Sequence, residues 1–550
     1  MKQQSWNLLP PAPRDFLEAE KLPPLILQVL YNRALRDPAC WEAFLTADER
    51  LGHDPFLLPE MEKGVERLRQ AIHSGEKVGI YGDYDADGIT ATVLLVQGLE
   101  ALGAQTVPFI PTRLHGHGLH SPALESLFQQ GVSLVLTVDS GTNGYDEVAQ
   151  AQRRGQDIII TDHHVCPPLL PPAVAVVNPK RPDSLYPFPD LTGVGVAYKL
   201  LQALLGDVAP GLDLVALGTV ADVAPLLGEN RYLVKEGLRL LNAPRRPGIR
   251  EMLRFSGLAR VDAESIAWVL GPRLNAAARL EHPLVSYHLL LTPSTEEAQR
   301  LAEELEGMNA ERQRLTGEAL VWAREQALAQ GDNRFLLVQC RDVPLGVAGL
   351  VANRLVEEFC RPALVVRLGP ETSSGSGRSI AQFNLFSALQ ENEDLLLRYG
   401  GHPRAAGFTI ANEKIPRLQE KLVERANREL KGLDLRPEIV MDARISLAEP
   451  DGQFLQFLPR LAPFGFGNPN PVFLSQGVKV VEAHQVGDKG DHLRLKLRAG
   501  PVTWDAIAFD CGGEERKLSP YLDIVYSFST DCWGPRETLK LELHDFRTSV

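Results

Sequence analysis

The sequence predicts an α/β protein with a long connecting helix and a β-rich tail, on three observations. Lys77–Tyr81, Ser133–Val138 and Asp157–Thr161 are short apolar runs between helical patterns, as in the buried parallel strands of an α/β sheet. A single helical stripe then runs from Ser294 to about Gln330. Beyond residue 436 apolar and polar residues alternate in short segments divided by turns, as in a small β-barrel or sandwich.

The totals agree. A chain of 550 residues, 44% apolar and 23% charged, is of ordinary globular composition and holds three or four domains at roughly 100–200 residues each. No run approaches the ~20 apolar residues of a membrane span, and the first residues lack the apolar core of a signal peptide. Cys40, Cys166, Cys340, Cys360, Cys511 and Cys532 are far apart without a C-x-x-C pair, which argues against structural zinc or a disulfide framework and fits a reducing cytoplasm. The net charge of −13 gives no overall attraction for nucleic acid, so binding a polyanion requires a local basic groove or metal ions.

In chain order, residues 1–70 read as a Pro-containing, partly helical lead-in, and 71–292 as a catalytic α/β domain. Residues 293–331 form the connecting helix, opened by a capping box at Ser294–Glu297 and striped by Leu301, Leu305, Met308, Leu315, Ala319 and Trp322. A second α/β domain, 332–435, has strands at Phe335–Val338 and Ala363–Val366 and a Gly/Ser-rich loop at Ser373–Ser379. The β-rich segment is 436–550, with runs at Val478–Val481, His492–Leu497 and Thr503–Phe509.

Each strand of the first sheet ends in polar residues. "GDYDADG" brings Asp83, Asp85 and Asp87, "TVDSG" brings Asp139, and "TDHH" brings Asp162, His163 and His164. Sites in open α/β sheets gather beyond the carboxyl ends of the strands. The Asp-x-Asp-x-Asp-Gly spacing suggests an EF-hand, but the bidentate Glu of that loop is replaced by Leu94 and the upstream flank is a strand. A tight turn explains one such Asp and not the recurrence. "GTVADVAPL" adds Asp222 in an apolar helical stretch beginning near Asp213, expected as a buried metal ligand. Carboxylates mixed with imidazole suit Mn²⁺ or Mg²⁺, and four or five carboxylates balance two divalent ions better than one. Two such ions ~3.5–4 Å apart form a clamp for phosphoryl displacement. His163 and His164 project differently and divide the work, one binding metal, the other reaching the second ion or the phosphate.

Taken together, "GDYDADG", "TVDSG", "TDHH" and "GTVADVAPL" resemble the four motifs of the DHH phosphoesterase superfamily. "GSGRSI" and "GGHPRAAGF" resemble its accompanying DHHA1 domain, and "GPRLNAAARL" with "LAPFGFGNPNPVF" narrows the likeness to the RecJ-type single-stranded-DNA-specific 5′→3′ exonucleases. The resemblance covers residues 75 to 550. It implies two Mn²⁺ or Mg²⁺ ions held by Asp85, Asp87, Asp139, His163 and Asp222, with Asp139 bridging and Asp83 and His164 completing the set. It also implies that the DHH and DHHA1 domains embrace one DNA strand, and that the tail is an OB-type fold. Pro344 stands near a position where the family often has His, and Asn384 and Phe386 stand where it has Asp and His.

Phosphates need donors. Arg113 and His117 (in a run with His115 and His120), Arg273, Asn275 and Arg279, Ser376 and Arg378 in the Gly/Ser-rich loop, and His402 and Arg404 in a second glycine-rich turn are the candidates. The tail adds Lys479, Lys489, His492, Arg494, Lys496 and Arg498, although lysines on an exposed strand often only guard an edge. The expected activity is release of mononucleotides from the 5′ end of single-stranded DNA, in repair and recombination, with Asp139, His163 and His164 at the chemistry and a helicase or single-strand-binding protein as partners. Two alternatives stand beside it: a DHH phosphodiesterase for short oligonucleotides or cyclic dinucleotides, and a non-catalytic replication scaffold.

Overall fold

The computed structural model describes residues 4–18, 22–113, 115–206, 209–487, 489–531 and 538–549; Cys532 lies outside them, and the other five cysteines are free. The chain divides into two compact units. One comprises residues 52–435, the other residues 1–51 together with 436–550.

The larger unit is built on five parallel strands, β1 (Lys77–Tyr81), β2 (Gln105–Phe109), β3 (Val132–Val138), β4 (Asp157–Thr161) and β5 (Ala175–Val177), in the order β2-β1-β3-β4-β5. Register explains why distant motifs meet. Tyr81 pairs with Thr137 and Val138 with Thr161, so Asp83, Asp139 and Asp162 leave the sheet side by side at its carboxyl edge. Ile80, Leu136, Val138 and Ile159 pack into one core, Tyr81, Val135, Ile158 and Ile160 into another, so both faces of the sheet are covered. Helix α1 (Ala86–Ala101) follows β1 and is buried along almost its whole length. Helices α2 (Gly193–Leu205) and α3 (Leu212–Ala221) supply core residues beside it. A π-turn, Ile266–Leu270, leads into α4 (Gly271–Leu280).

Helix α5 (Thr295–Ala329) has 35 residues, hence a length of ~52 Å at 1.5 Å per residue. Ser294 caps it through Glu297 N–H at 3.2 Å. The capping box is only half formed, because the Glu297 carboxylate accepts from the Thr292 hydroxyl at 2.5 Å instead of reaching back. Leu301 and Leu305 belong to the core of the first domain, while Ala319, Ala323 and Ala327 belong to the core of the second. One helix thus ties two hydrophobic cores together.

The second domain has strands β6 (Leu336–Cys340), β7 (Ala363–Arg367), β8 (Thr372–Arg378), β9 (Leu396–His402) and β10 (Ala405–Ala411), ordered β9-β10-β8-β7-β6, with helix α6 (Leu345–Phe359) after β6. The Gly/Ser-rich segment expected as a loop is strand β8, a correction with a steric cause. Its glycines alternate with larger residues at the strand period; a Cβ on Gly375 would collide with the Phe408 ring, and one on Gly377 would reach Leu385 at 2.6 Å. The second glycine-rich turn is a hairpin, with His402 ending β9 and Arg404 in the connection. Asn384 caps a short helix by accepting from Ser387 N–H at 3.0 Å, a task its amide performs as a carboxylate would.

In the smaller unit, Phe473–Val486, His492–Ala499, Val502–Ala508, Thr538–Thr548 and Tyr521–Asp531 bond in that order, and the first also pairs with the last, closing a five-stranded barrel. The N-terminal strand Ser5–Leu8 lies parallel to Glu438–Met441 in this unit.

Candidate metal centre

Backbone geometry places each acidic group. Asp85 caps α1, its carboxylate accepting from Asp87 and Gly88 N–H at 3.1 Å each. Asp87, in the first helical turn, is buried and accepts from Gly193 N–H at 2.6 Å and Val194 N–H at 2.8 Å, the free donors at the start of α2. Asp139 sits just past β3 in the left-handed region, φ 57°, which turns its side chain inward against Gly193. A Cβ on Gly193 would overlap the Asp139 carboxylate, with Oδ1 at 2.7 Å, so only glycine leaves room there.

His163 Nε2 lies 3.0 Å from Asp139 Oδ1, 3.8 Å from Asp87 Oδ2 and 3.9 Å from Asp222 Oδ2. Asp139, His163 and His164 form one group whose ligand atoms lie within 4.8 Å of one another, and Asp87, His163 and Asp222 form a second. The two groups share His163. Asp222 is less enclosed than expected of a buried carboxylate: it caps the end of α3, where the helix stops at Ala221, and its side chain is 32% exposed while the rest is packed round by the site.

The electrostatics describe a site wanting positive charge. Burial, then the carboxylates of Asp222 and Asp85, raise Asp87 well above the carboxylate range. Burial and the Asp87, Asp85 and Asp83 carboxylates raise Asp139 likewise, and burial with Asp85 pushes Asp222 up to about 7. Burial and the neighbouring His164 push His163 down to about 3, so its imidazole is neutral. Asp139 Oδ1 is buried and accepts no hydrogen bond even though His163 Nε2 is 3.0 Å away. Two ligand atoms that close yet not hydrogen-bonded are not aimed at each other; with the Asp87 and Asp222 carboxylates nearby they make a donor set of oxygen and nitrogen that a cation fits.

Asp162 is the residue that sequence reasoning left out of the site. It accepts from His163 and His164 N–H at 2.7 and 3.1 Å, from Thr142 N–H at 2.9 Å, and meets His164 Nδ1 at 2.7 Å. It thereby orients both histidines. Burial opposes protonation of His164, but Asp162 overrides it and holds the imidazole up at about 9. The signal was its place directly before the pair. Asp83, also assigned as a ligand, accepts from Tyr84 N–H and meets His117 Nδ1, both at 2.6 Å. Asn275 Oδ1 accepts from Ala86 N–H at 2.9 Å, fixing α4 to the start of α1.

The substrate candidates separate into three sets. Arg113 stacks on Tyr84 at 4.6 Å, and Arg279 donates to Gly346 O at 2.8 Å. Arg378 and Ser376 face Gly349 of α6, where a Cβ would sit 3.0 Å from each side chain. Burial and the charges of Arg113, Arg312 and Arg378 lower Arg279 to about 9, the mark of converging guanidiniums. Among the described residues no carboxylate pairs with Arg113, Arg279 or Arg378. A groove of about 450 Å³ between the two domains of this unit is lined by Arg113, Arg279, Arg341 and Arg367, against the two acids Glu281 and Asp342. Arg273 is drawn elsewhere, both its Nε and Nη2 donating to Glu306 at 2.7 and 3.1 Å. His402 and Arg404 are exposed on the hairpin.

Comparison with known proteins adds to this geometry. Residues 77–219 match the DHH family, N-terminal domain, residues 332–430 the DHHA1 domain, and residues 441–545 the RecJ OB domain. The single-stranded-DNA-specific exonuclease RecJ of Bacillus subtilis is 36% identical over 98% of this chain and 69% of its own. The protein of that name from Salmonella typhimurium is 34% identical over 96% of this chain and 94% of its own. Among solved structures, Thermus thermophilus RecJ in complex with Mn²⁺ superposes with a TM-score of 0.85 at 32% identity, covering 99% of this chain and 80% of that one. The same protein with Mg²⁺ gives 0.79, over 99% and 79%.

Proposed function

The chain belongs to the RecJ family of single-stranded-DNA-specific exonucleases, and from that premise we propose that it hydrolyses single-stranded DNA from the 5′ end, one nucleotide at a time, at a two-cation centre. The observation that carries the reading is Asp139: a buried carboxylate oxygen without a hydrogen bond, 3.0 Å from a neutral imidazole nitrogen, amid Asp87 and Asp222. In this reading Asp85, Asp87, Asp139, His163 and Asp222 hold two divalent cations, Mn²⁺ or Mg²⁺, the ions with which Thermus thermophilus RecJ forms complexes. When bound, the cations polarise the scissile phosphate and acidify the attacking water.

The remaining work falls to the protein. Asp162 fixes the histidine pair, and with its Nδ1 tied to Asp162, His164 keeps its other ring nitrogen for the second cation or a phosphate oxygen. Asp83 holds His117 at the rim. Arg113, Arg279, Arg378 and Ser376 take the terminal 5′-phosphate, Arg by forked hydrogen bonds, which sets polarity: a strand held by its end is cut a fixed distance from it. The rival substrate class, oligonucleotides of a few residues or cyclic dinucleotides, lacks support from the barrel unit, which such a substrate does not need. A scaffold role lacks support from a ligand set without a gap. An enzyme that requires exposed strand works after duplex opening, so a helicase and a single-strand-binding protein, in the cytoplasm, are the partners of this reading; no helix among the described residues is long and apolar enough to cross a membrane.

The test is a 3′-labelled single strand with Mn²⁺. Stepwise shortening from the 5′ end, with circular DNA intact, is the expected result, and Asp139→Ala removes it. Cleavage of the circle, or shortening from the 3′ end, overturns the polarity; activity unaffected by Asp139→Ala overturns the site.

A further inference from the structure

Trp268 is 68% exposed, and Val223 63% exposed. Neither side chain is part of a hydrophobic core, and neither belongs to any role described above. Val223 is next in the chain to Asp222, and the turn that carries Trp268 packs on the helix that ends at Ala221. Val223 adopts φ 59°, a left-handed conformation that a β-branched residue avoids unless its surroundings hold it there. Trp268 lies in the π-turn Ile266–Leu270, whose widened hydrogen-bonding pushes one extra residue out of the helical path. This turn sits against the end of α3: a Cβ on Gly271 would meet Ala221 Cβ at 3.1 Å, one residue before Asp222.

Helix α4 gives the order of the parts. Its first residue, Gly271, lies at Ala221, beside Asp222. Asn275, one turn on, is bonded to Ala86 N–H next to Asp85. Arg279, one more turn on, enters the arginine-lined groove. The axis of α4 therefore runs from the exposed tryptophan, past the carboxylates, to the guanidiniums.

We propose that Trp268 is a stacking platform for a nucleobase of the strand on the 3′ side of the scissile bond. This rests on the reading of the arginine groove as the 5′-phosphate pocket. With the 5′-phosphate at Arg279 and the scissile phosphate at the carboxylates, the chain that continues past the cut reaches the Trp268 end of α4. An indole face is what an unpaired base of any identity recognises, and stacking of this kind is sequence-tolerant. The platform keeps hold of the shortened strand while the mononucleotide leaves.

The experiment compares wild type, Trp268→Ala and Trp268→Phe on single strands carrying one abasic position at the first, second or third nucleotide. Trp268→Ala is expected to lower kcat/KM about tenfold on normal DNA, the loss carried by KM, as for removal of a base–aromatic stack. Trp268→Phe restores most of it. An abasic position at the second or third nucleotide penalises the wild type but adds nothing to Trp268→Ala, whereas one at the first nucleotide penalises both alike. A variant that loses activity equally on all substrates, or one indistinguishable from wild type, overturns the platform. A wild type that does not degrade single strands from the 5′ end instead overturns the proposed function beneath it.

Discussion

Buried carboxylates without counterions work against the fold, and Asp139 is the plainest case. Its carboxylate is needed for cations and is unfavourable without them, so Asp139→Asn separates the two roles. The variant is expected to melt at or above the temperature of the cation-free wild type, because a like charge leaves the cluster. Its activity falls by about 10³-fold or more, since several kcal/mol of charge stabilisation disappear. Thermal melting and a cleavage assay on one preparation check both, and a cation-free variant melting well below the wild type would contradict the first.

A pH dependence follows at the same scale. Asp87, Asp139 and Asp222 have folded-state values raised above their unfolded ones, Asp222 to about 7. Stability from raised carboxylates is fully present below the unfolded values and is lost as pH climbs through the folded ones. The cation-free protein therefore loses stability from Asp222 as pH rises from about 4 to about 7, and from Asp87 and Asp139 as it climbs through their own raised values, and cations restore it by binding the ionised form. The rise in melting temperature on adding Mn²⁺ should be larger at pH 8 than at pH 5.5, and an equal rise at both would refute the assignment. The acids of this cluster were legible in the sequence because each ends a strand or helix beside other such residues. The roles of Asp162 and of the Gly193 and Val194 amides were not, since these depend on which helix start packs over which carboxylate.

Elements transmit that placement. The start of α2 supplies the amides that hold Asp87 and the glycine that makes room for Asp139. Gly193→Ala should therefore displace Asp139, abolishing cleavage and costing about 1–3 kcal/mol of stability as an overpacked site. Denaturant unfolding with a parallel activity assay measures the two together; retention of activity would mean that Asp139 tolerates the shift. The same steric reasoning explains why β8 was misread. Glycine and serine without apolar neighbours read as a loop, yet in β8 the glycines mark where Phe408, Leu364 and Leu385 pack onto the backbone. Long-range packing, absent from any local window, decides between strand and loop there. Helix α5 was legible because its stripe persists over many turns, while its half-formed capping box depends on the orientation of Thr292.

For the whole molecule, local signals run out wherever segments distant in the chain meet. Nothing in Ser5–Leu8 indicates a partner more than four hundred residues away, yet it pairs in parallel with Glu438–Met441. Charge is the other whole-chain property, and a net −13 opposes a polyanion. The unpaired guanidiniums of Arg113, Arg279 and Arg378 resolve that conflict if attraction is confined to one groove, because potentials focus in a cleft and are screened beyond ~10 Å at moderate salt. Binding of 5′-phosphorylated single strands to Asp139→Asn should then weaken as salt rises, with a slope of log affinity against log salt of about −0.7 per phosphate contacted. Arg378→Gln should flatten this slope by about 0.7, and removing the 5′-phosphate from the DNA should erase the difference between the two proteins. If Arg378→Gln leaves the slope unchanged, or weakens phosphorylated and unphosphorylated strands alike, the phosphate end of the strand lies elsewhere.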